Sequence, residues 1–398
     1  MAGFATGVAK RVILAEETTF GVSPVTGGKY LRRVSSDLTL NKDSYESQEI
    51  LVSQQVQDAR HGVRRPQGTF AGQLSPGSFP DIFQSIMRST FSPGIVMATE
   101  TLVMDVSAGT LTLSAGGFLE SGLMREDIIR IAGATGPDAA INGINLRVNG
   151  LTDTVITTRD LPATLANGTL TGVSVTVVGA KLIMPATGQS YRSYSIEHFF
   201  SDIGASELFT GVRFGQTAIS MPATGLVTFS SQILGQNMTQ ASVQQLTSPT
   251  GPTTSEALAA VNGSLSYNGS DSAIITGLNL TIAPALEAPA VVGSNTVPWI
   301  FMGRMRVSGT FTALFQDETL ANTFINEEEV GISVKLSMGA GNSTDFLRLT
   351  LPRVKAMSDQ KNDGEMSLVQ SMSFTGLQNV ADPTIDATTI VVQDSMLS

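Results

Sequence analysis

The 398-residue chain carries two imidazoles, His61 and His198, and no thiol. Without cysteine, disulfides, thiolate metal sites and cysteine nucleophiles are excluded. An imidazole base needs a nucleophile and an orienting carboxylate, and no Gly-x-Ser-x-Gly elbow occurs to present a serine. His61 lies in a basic stretch beside Gly62, and His198 sits among alternating apolar residues in "SIEHFFSD"; both are expected to be ordinary surface or strand residues. "GVSPVTGGKY" has the Gly28-Lys29 pair of a phosphate loop, but its first glycine is misplaced and Tyr30 stands where a Ser or Thr would hold magnesium. In "DQKNDGEM", Asp359, Asp363 and Gly364 resemble the start of a calcium loop. Lys361 occupies a ligand position there and Gln370 replaces the bidentate glutamate, so a polar hairpin turn is expected. "SMGAGNST" has two glycines and no following helix, which does not support a dinucleotide site. Glu327, Glu328 and Glu329 would point in different directions from a helix. They are expected at a helix C-terminus, where acids oppose the dipole and a neighbour's arginines would ease the cost. The reading is a protein that is not an enzyme, with no cofactor and no metal.

Composition supports a chain that lives among copies of itself. Hydrophobic residues make up 41% and charged residues only 15%, with 39 glycines; about a quarter charged is usual for soluble domains. Strands with neutral polar faces, or surfaces covered by neighbouring subunits, produce such a mixture. The net charge of −10 gives no overall attraction for a phosphate backbone. No apolar run is long enough to span a bilayer and no signal peptide is read, so no membrane partner is expected.

Alternation of apolar and polar residues dominates. In "RMRVSGTFTALF", Met305, Val307, Gly309, Phe311, Ala313 and Phe315 share one face. Arg304, Arg306, Ser308, Thr310 and Thr312 share the other, as a half-buried antiparallel strand requires. "EMSLVQSMSFTGL" places Met366, Leu368, Met372 and Phe374 opposite Ser367, Ser371, Ser373 and Thr375. Further strands are expected in "GLVTFSSQIL", "GSLSYNG", "AIITGLNLTIA", "GISVKLSM" and "DFLRLTLPRV". Phe79, Ile82, Phe83, Ile86 and Met87 recur at helical spacing, with Ser78 and Asp81 as a capping box. "QDETLANTFINEEE" predicts a second short helix, capped by Asp317, with Leu320 and Phe324 one turn apart. Gly68-Thr69-Phe70 runs into the first helix and Gly309-Thr310-Phe311 into the second, which points to two related halves.

The fold class is therefore mainly β: an antiparallel sandwich or barrel with one or two short helices, plus an inserted small all-β domain. The insert is placed at 93–185, where short strands with Gly and Asn turns crowd together between prolines. The main domain is discontinuous, 1–92 and 186–380, and 381–398 is set apart as a C-terminal tail. From Asn41 to Arg65 there is little apolar payload to offset ordering entropy, so this arm is expected to be flexible unless another chain holds it.

The order Glu16 or Glu17, Gly21, Pro24, then Ser47-Gln48-Glu49-Ile50, then Gly68-Thr69-Phe70 and a helix resembles the N-terminal region of the major tail tube proteins of long, non-contractile-tailed (siphovirus-like) bacteriophages. "GLVTFSS" and "VSGTFTALFQDETLANTF" look like that family's second half. The resemblance implies a structural virion protein with a tail-tube-type fold, forming homohexameric rings that stack helically into a tube for DNA ejection. The tail is put together in the host cytoplasm. The partners it implies are the chain itself, the tape measure protein, the tail terminator and distal tail proteins, and double-stranded DNA passing through the lumen. It also implies that the arm, about 41–66, contacts the adjacent ring. Tyr45, Glu46, Gln48, Glu49, Arg60, Arg64, Arg65, Glu327, Glu328 and Glu329 are the contact candidates, and Ser308, Thr310, Thr312, Ser371 and Ser373 the lumen candidates. An alternative is a host-surface or carbohydrate-binding adhesin built on the insert, which would need exposed aromatics; 93–185 contains only Phe118.

Overall fold

A computed structural model of the chain describes residues 3–114, 116–363 and 365–398. Gly364 of the calcium-like turn lies outside the described residues. The protein is mainly β, with antiparallel sheets that include a half-barrel. One uninterrupted antiparallel array runs in the order Thr39–Glu46, Ala59–Gln73, Thr228–Leu234, Ala205–Pro222, Ile275–Glu287, Phe301–Leu314, Val369–Leu377, Phe346–Lys361. Every strand expected from alternation is present. The α-helices among the described residues are Pro80–Met87 (α1) and Thr319–Ile325 (α2), and separate short 3-10 turns lie at Gly136–Ile141 and Ala260–Asn262.

Two halves of the array repeat one plan. Ala59–Gln73 leads to α1, then to Ser193–Phe200, Ala205–Pro222 and Thr228–Leu234. Phe301–Leu314 leads to α2, then to Glu329–Ser337, Phe346–Lys361 and Val369–Leu377. In each half the first strand pairs with the last, and the last with the one before it. Phe70 packs edge-on to Phe79, with centroids 6.1 Å apart, and Phe311 packs on Phe374 at 6.2 Å, so the shared Gly-Thr-Phe puts its ring into the same core. The shared glycine has a steric cause. A Cβ on Gly68 would sit 2.6 Å from Leu38 Cα, and one on Gly309 would overlap the Asn279 carbonyl and the Phe374 ring. Gly309→Ala should cost about 1–3 kcal/mol in urea unfolding, the overpacking range. Gly68→Ala should act in the same direction.

The capping box expected at α1 does not form. Phe79 is the N-cap without a side-chain hydrogen bond, and Pro80 supplies the first turn. Ser78 instead hydrogen-bonds the hydroxyls of Ser75 and Thr253. At α2, Asp317 accepts from the Thr319 N–H at 2.9 Å, although Glu318 holds the N-cap position.

A second, seven-stranded sheet among the described residues spans Val96–Val177 and has its own apolar cluster around Leu111, Phe118, Ile129, Ile156 and Val175. Its two connections leave side by side, with the Gly94 N–H donating to the Gly179 carbonyl at 2.7 Å. Ala180–Ile183, expected inside the insert, pairs instead with Ser92–Pro93 and with Val391–Asp394 of the main sheet. The segment set apart as a tail thus holds a buried strand, inserted beside Phe346–Lys361.

That strand ends in a titratable group. Asp394 accepts the Gly77 N–H at 2.7 Å and the Met396 N–H at 3.0 Å, and burial pushes its carboxyl up from an ordinary 3.8 to about 6. A raised carboxyl pKa means the folded state holds its proton more tightly, so stability from this group is present below the unfolded value and lost as pH rises through about 6. Asp394→Asn should therefore stabilise the fold at about pH 8 by up to about 3 kcal/mol, the gain vanishing below about pH 4. Thermal melts of both proteins across that interval test it.

Candidate functional site

The middle of the face turned away from the core is lined mainly by uncharged polar side chains, with Lys355 opposite Thr375 and Asp37 opposite Thr69 towards its edges. Along one row Ala71, Ser230, Ala218, Thr281, Ser308 and Thr375 stand opposite one another in turn. The next row is Gln73, Thr228, Ser220, Asn279, Thr310 and Ser373. Ser220 donates to Asn279 Oδ1 at 2.7 Å, and Ser358 and Ser373 share a hydrogen bond at 2.6 Å. All five lumen candidates lie on this face, Thr312 opposite Ser371. Neither row contains a carboxylate; Arg304 and Arg306 border the face beside Gln216 and Gln232. The net charge of −10 is thus carried elsewhere than on these rows. Pairing between residues 8 to 159 positions apart in the chain builds the face, so no local pattern displays it whole.

The arm is ordered within the chain, which corrects the expectation that it needs a second chain to hold it. Thr39–Glu46 and Ala59–Gln73 form a hairpin from Thr39 opposite Gln67 to Glu46 opposite Ala59. A ladder of backbone hydrogen bonds propagates the register set at the buried Phe70, and Val63 adds one apolar contact on Val297 and Ile300. Residues 47–58 form the exposed tip, where Ile50 and Val52 are 100% and 103% exposed. Tyr45 lies over Gly62, where a Cβ would come within 2.5 Å of its ring. Glu46 and Glu49 are exposed, and Gln48 reaches back to the Glu46 carbonyl at 3.5 Å.

Its arginines have partners inside the chain. Arg60 meets Asp58 at 2.8 Å, Arg64 donates to Asn237 Oδ1 at 3.0 Å, and Arg65 grips both oxygens of Asp43. The acidic run behaves likewise. Glu329 takes two hydrogen bonds of 2.6 Å from Arg353, Glu327 takes one of 2.6 Å from Lys355, and Glu328 accepts from Asn326. Lys355 and Arg353 hold the Glu327 and Glu329 carboxyls below their ordinary range. The cations expected from a neighbour are this chain's own, brought in by Phe346–Lys361. The sequence offered no signal for that pairing.

Sequence reading also missed a buried cluster. His198 Nε2 lies 2.8 Å from Ser36 Oγ, and its Nδ1 lies 3.8 Å from Glu207. The order Ser, His, Glu resembles a triad, but 3.8 Å is too long for a hydrogen bond, and both Ser36 and His198 are buried. Burial lowers the His198 pKa, keeping it neutral. The cluster ties Ser35–Ser36 to Ser193–Phe200, a bridge between strands. Glu17 is similarly enclosed, accepting from Ser193, Ser195 and the Gly21 and Gly211 N–H groups. Lys29 of the phosphate-loop lookalike pairs with Asp81.

Fold and surfaces together define a β-structural protein with a wettable curved sheet. The family model for phage tail tube proteins matches residues 7–376, and the chain belongs to that family of structural tail proteins, which self-assemble with other tail proteins in the virion tail. No curated protein matches the chain.

Proposed function

We propose that copies of this chain close into rings through the margins of the main array, and that the rings stack into a tail tube through which double-stranded DNA is ejected. The observation that carries this reading is the pair of Ser- and Thr-rich rows on one face of the main array, neither of which contains a carboxylate. Such a lining wets a lumen while offering few cations to trap a phosphate backbone. Sheet margins left open invite pairing, and closure removes them. The resemblance implies rings of six chains, and the duplicated plan leads us to depart from that count. Because each chain carries two strand–helix units, we assign six units to a ring, supplied by three chains. The tip at 47–58 reaches the adjacent ring, and the tape measure, terminator and distal tail proteins meet the tube in the host cytoplasm.

Val96–Val177 is assigned to an inserted domain displayed outside the tube. Its one aromatic, Phe118, is buried in its own core, which leaves it no ring to stack on a sugar. Replacing residues 95–178 with a short glycine link, together with Arg348→Met, should leave tube formation intact by negative-stain microscopy.

Microscopy of the purified protein tests the main reading: tubes with a central hole are expected, and solitary particles at high concentration would sink it. Ring mass by native mass spectrometry tests the count. A ring of six chains would refute the assignment of two units per chain to one six-unit ring.

A further inference from the structure

The join between the two units inside one chain is a template for a join between chains. Ala205–Pro222 of the first unit corresponds to Phe346–Lys361 of the second, residue by residue. Thr217 stands opposite Ser231, and Ser231 opposite Phe70. Asp359 stands opposite Met372, and Met372 opposite Phe311. Phe70 and Phe311 are the third residues of the two Gly-Thr-Phe runs. Even the ladder irregularities agree: Phe214/Thr217 matches Ala356/Ser358, and Tyr194/Ile196 matches Val330/Ile332.

On its far margin the first of these strands pairs Thr217, Ala218 and Ile219 with Ile282, Thr281 and Leu280. The same margin of the second strand, at Asp359, Gln360 and Lys361, has no strand partner among the described residues. At the opposite end of the array, the stretch from Ser35 to Glu46 corresponds to Ile275–Glu287, since Ser36 faces Phe70 as Leu278 faces Phe311. Its outer margin is also without a strand partner among the described residues.

We propose that these two margins pair between neighbouring copies of this chain, antiparallel, with Asp359 opposite Leu40, Gln360 opposite Thr39 and Lys361 opposite Leu38 of the next copy. The inference rests on the ring reading above and adds the partner strands and their register. Strand direction permits it, because the alternation along the array leaves its two end strands running oppositely. The faces match: Gln360 and Thr39 extend the uncharged polar face, while Leu38 and Leu40 lie on the core side. There Lys361, held by Asp359 at 2.9 Å, can lay its aliphatic stem over the half-buried Leu40.

The helices give independent support. α1 buries its last two residues, Ile86 and Met87, in a core that includes Leu278 and Leu280 from across the internal join. α2 leaves its last two, Phe324 and Ile325, 37% and 69% exposed. The counterparts of Leu278 and Leu280 are Ser36 and Leu38, which are already buried in their own copy, so the part of the next copy that could cover Phe324 and Ile325 is the partly exposed Leu40 beside them. Phe315 and Leu368, also exposed, flank the same margin.

A chain without cysteine makes the test clean. Directly opposed residues hold their Cβ atoms about 4.5–5.5 Å apart, whereas residues displaced by two lie about 7–8 Å apart. Tubes of the Thr39→Cys/Gln360→Cys variant, oxidised or treated with a short bis-thiol reagent, should yield covalent multimers on a denaturing gel. Either single variant should yield none, and Thr39→Cys/Asn362→Cys should link at least tenfold less. Variant tubes that form without the link, or a better link from Asn362, would overturn the register. Hydrogen exchange on unmodified protein supplies a second measurement. Amides of Leu38, Leu40, Asp359 and Lys361, which alternation points out of the array, should gain about tenfold protection or more on assembly, and unchanged exchange there would overturn the proposal. Absence of any ring from the unmodified chain, seen by microscopy beforehand, would instead remove the tube reading itself.

Discussion

Ile50→Asp combined with Val52→Asp is expected to stop tube growth while leaving the chain folded. Both side chains stand fully in water at the hairpin tip, so replacing them takes nothing from the core. Surface changes of this kind usually alter stability by about 0.5 kcal/mol or less. In the tube the cost is larger. Burying each aliphatic side chain against the adjacent ring is worth about 1.5–3 kcal/mol, and an aspartate in its place adds an uncompensated charge. Every chain of a ring repeats the loss, so elongation should fall by far more than a hundredfold. Ring formation should persist, because Ile50 and Val52 lie ten or more residues beyond Leu38–Leu40, the part of the open margin assigned to the ring contact. Tube lengths by microscopy, beside melts of the dissociated chain, decide the matter. Tubes of ordinary length would show that the tip does not join rings.

Arg348→Ala should be among the most destabilising single changes in the molecule, at about 3–5 kcal/mol. Arg348 is 1% exposed and lies in the main sheet, where its guanidinium pairs with Glu126 of the 93–185 segment and with Ser333. Truncation leaves the buried Glu126 carboxylate without its cation. The same seam holds Lys181 against Asp127 at 2.6 Å and Asp386 at 2.8 Å, and Gln393 spans the Ile128 and Val178 carbonyls. Arg348→Met with Glu126→Leu removes both charges and should recover most of the loss, since an apolar pair of similar volume often equals or exceeds a buried ion pair. Urea unfolding of both variants measures the difference. A single variant within about 1 kcal/mol of the parent would show that water reaches the seam.

Alternation alone identified Phe301–Leu314 and Val369–Leu377, because a side-chain period of two is a local property. The stripe from Phe79 to Met87 identified α1 in the same way, and the shared Gly-Thr-Phe was enough to suggest two halves. The glycine's steric cause stayed hidden, since the atoms that exclude a Cβ belong to Leu38 and Asn279 on other strands. The hairpin at 39–73 was misjudged for a related reason: composition measures side-chain burial, and a backbone ladder does not depend on it.

Residue order by itself determined the β-rich class, the absence of thiol chemistry and the family resemblance, all of which depend on composition or short spacing. Only the tertiary structure decided which cations neutralise Glu327 and Glu329, and that Ser36 reaches His198. It also decided that Val391–Asp394 is a core strand and that Ser and Thr side chains from distant strands assemble into one face. Those contacts join positions tens to hundreds of residues apart, and strand pairing is set by the register of whole sheets, which no single segment encodes.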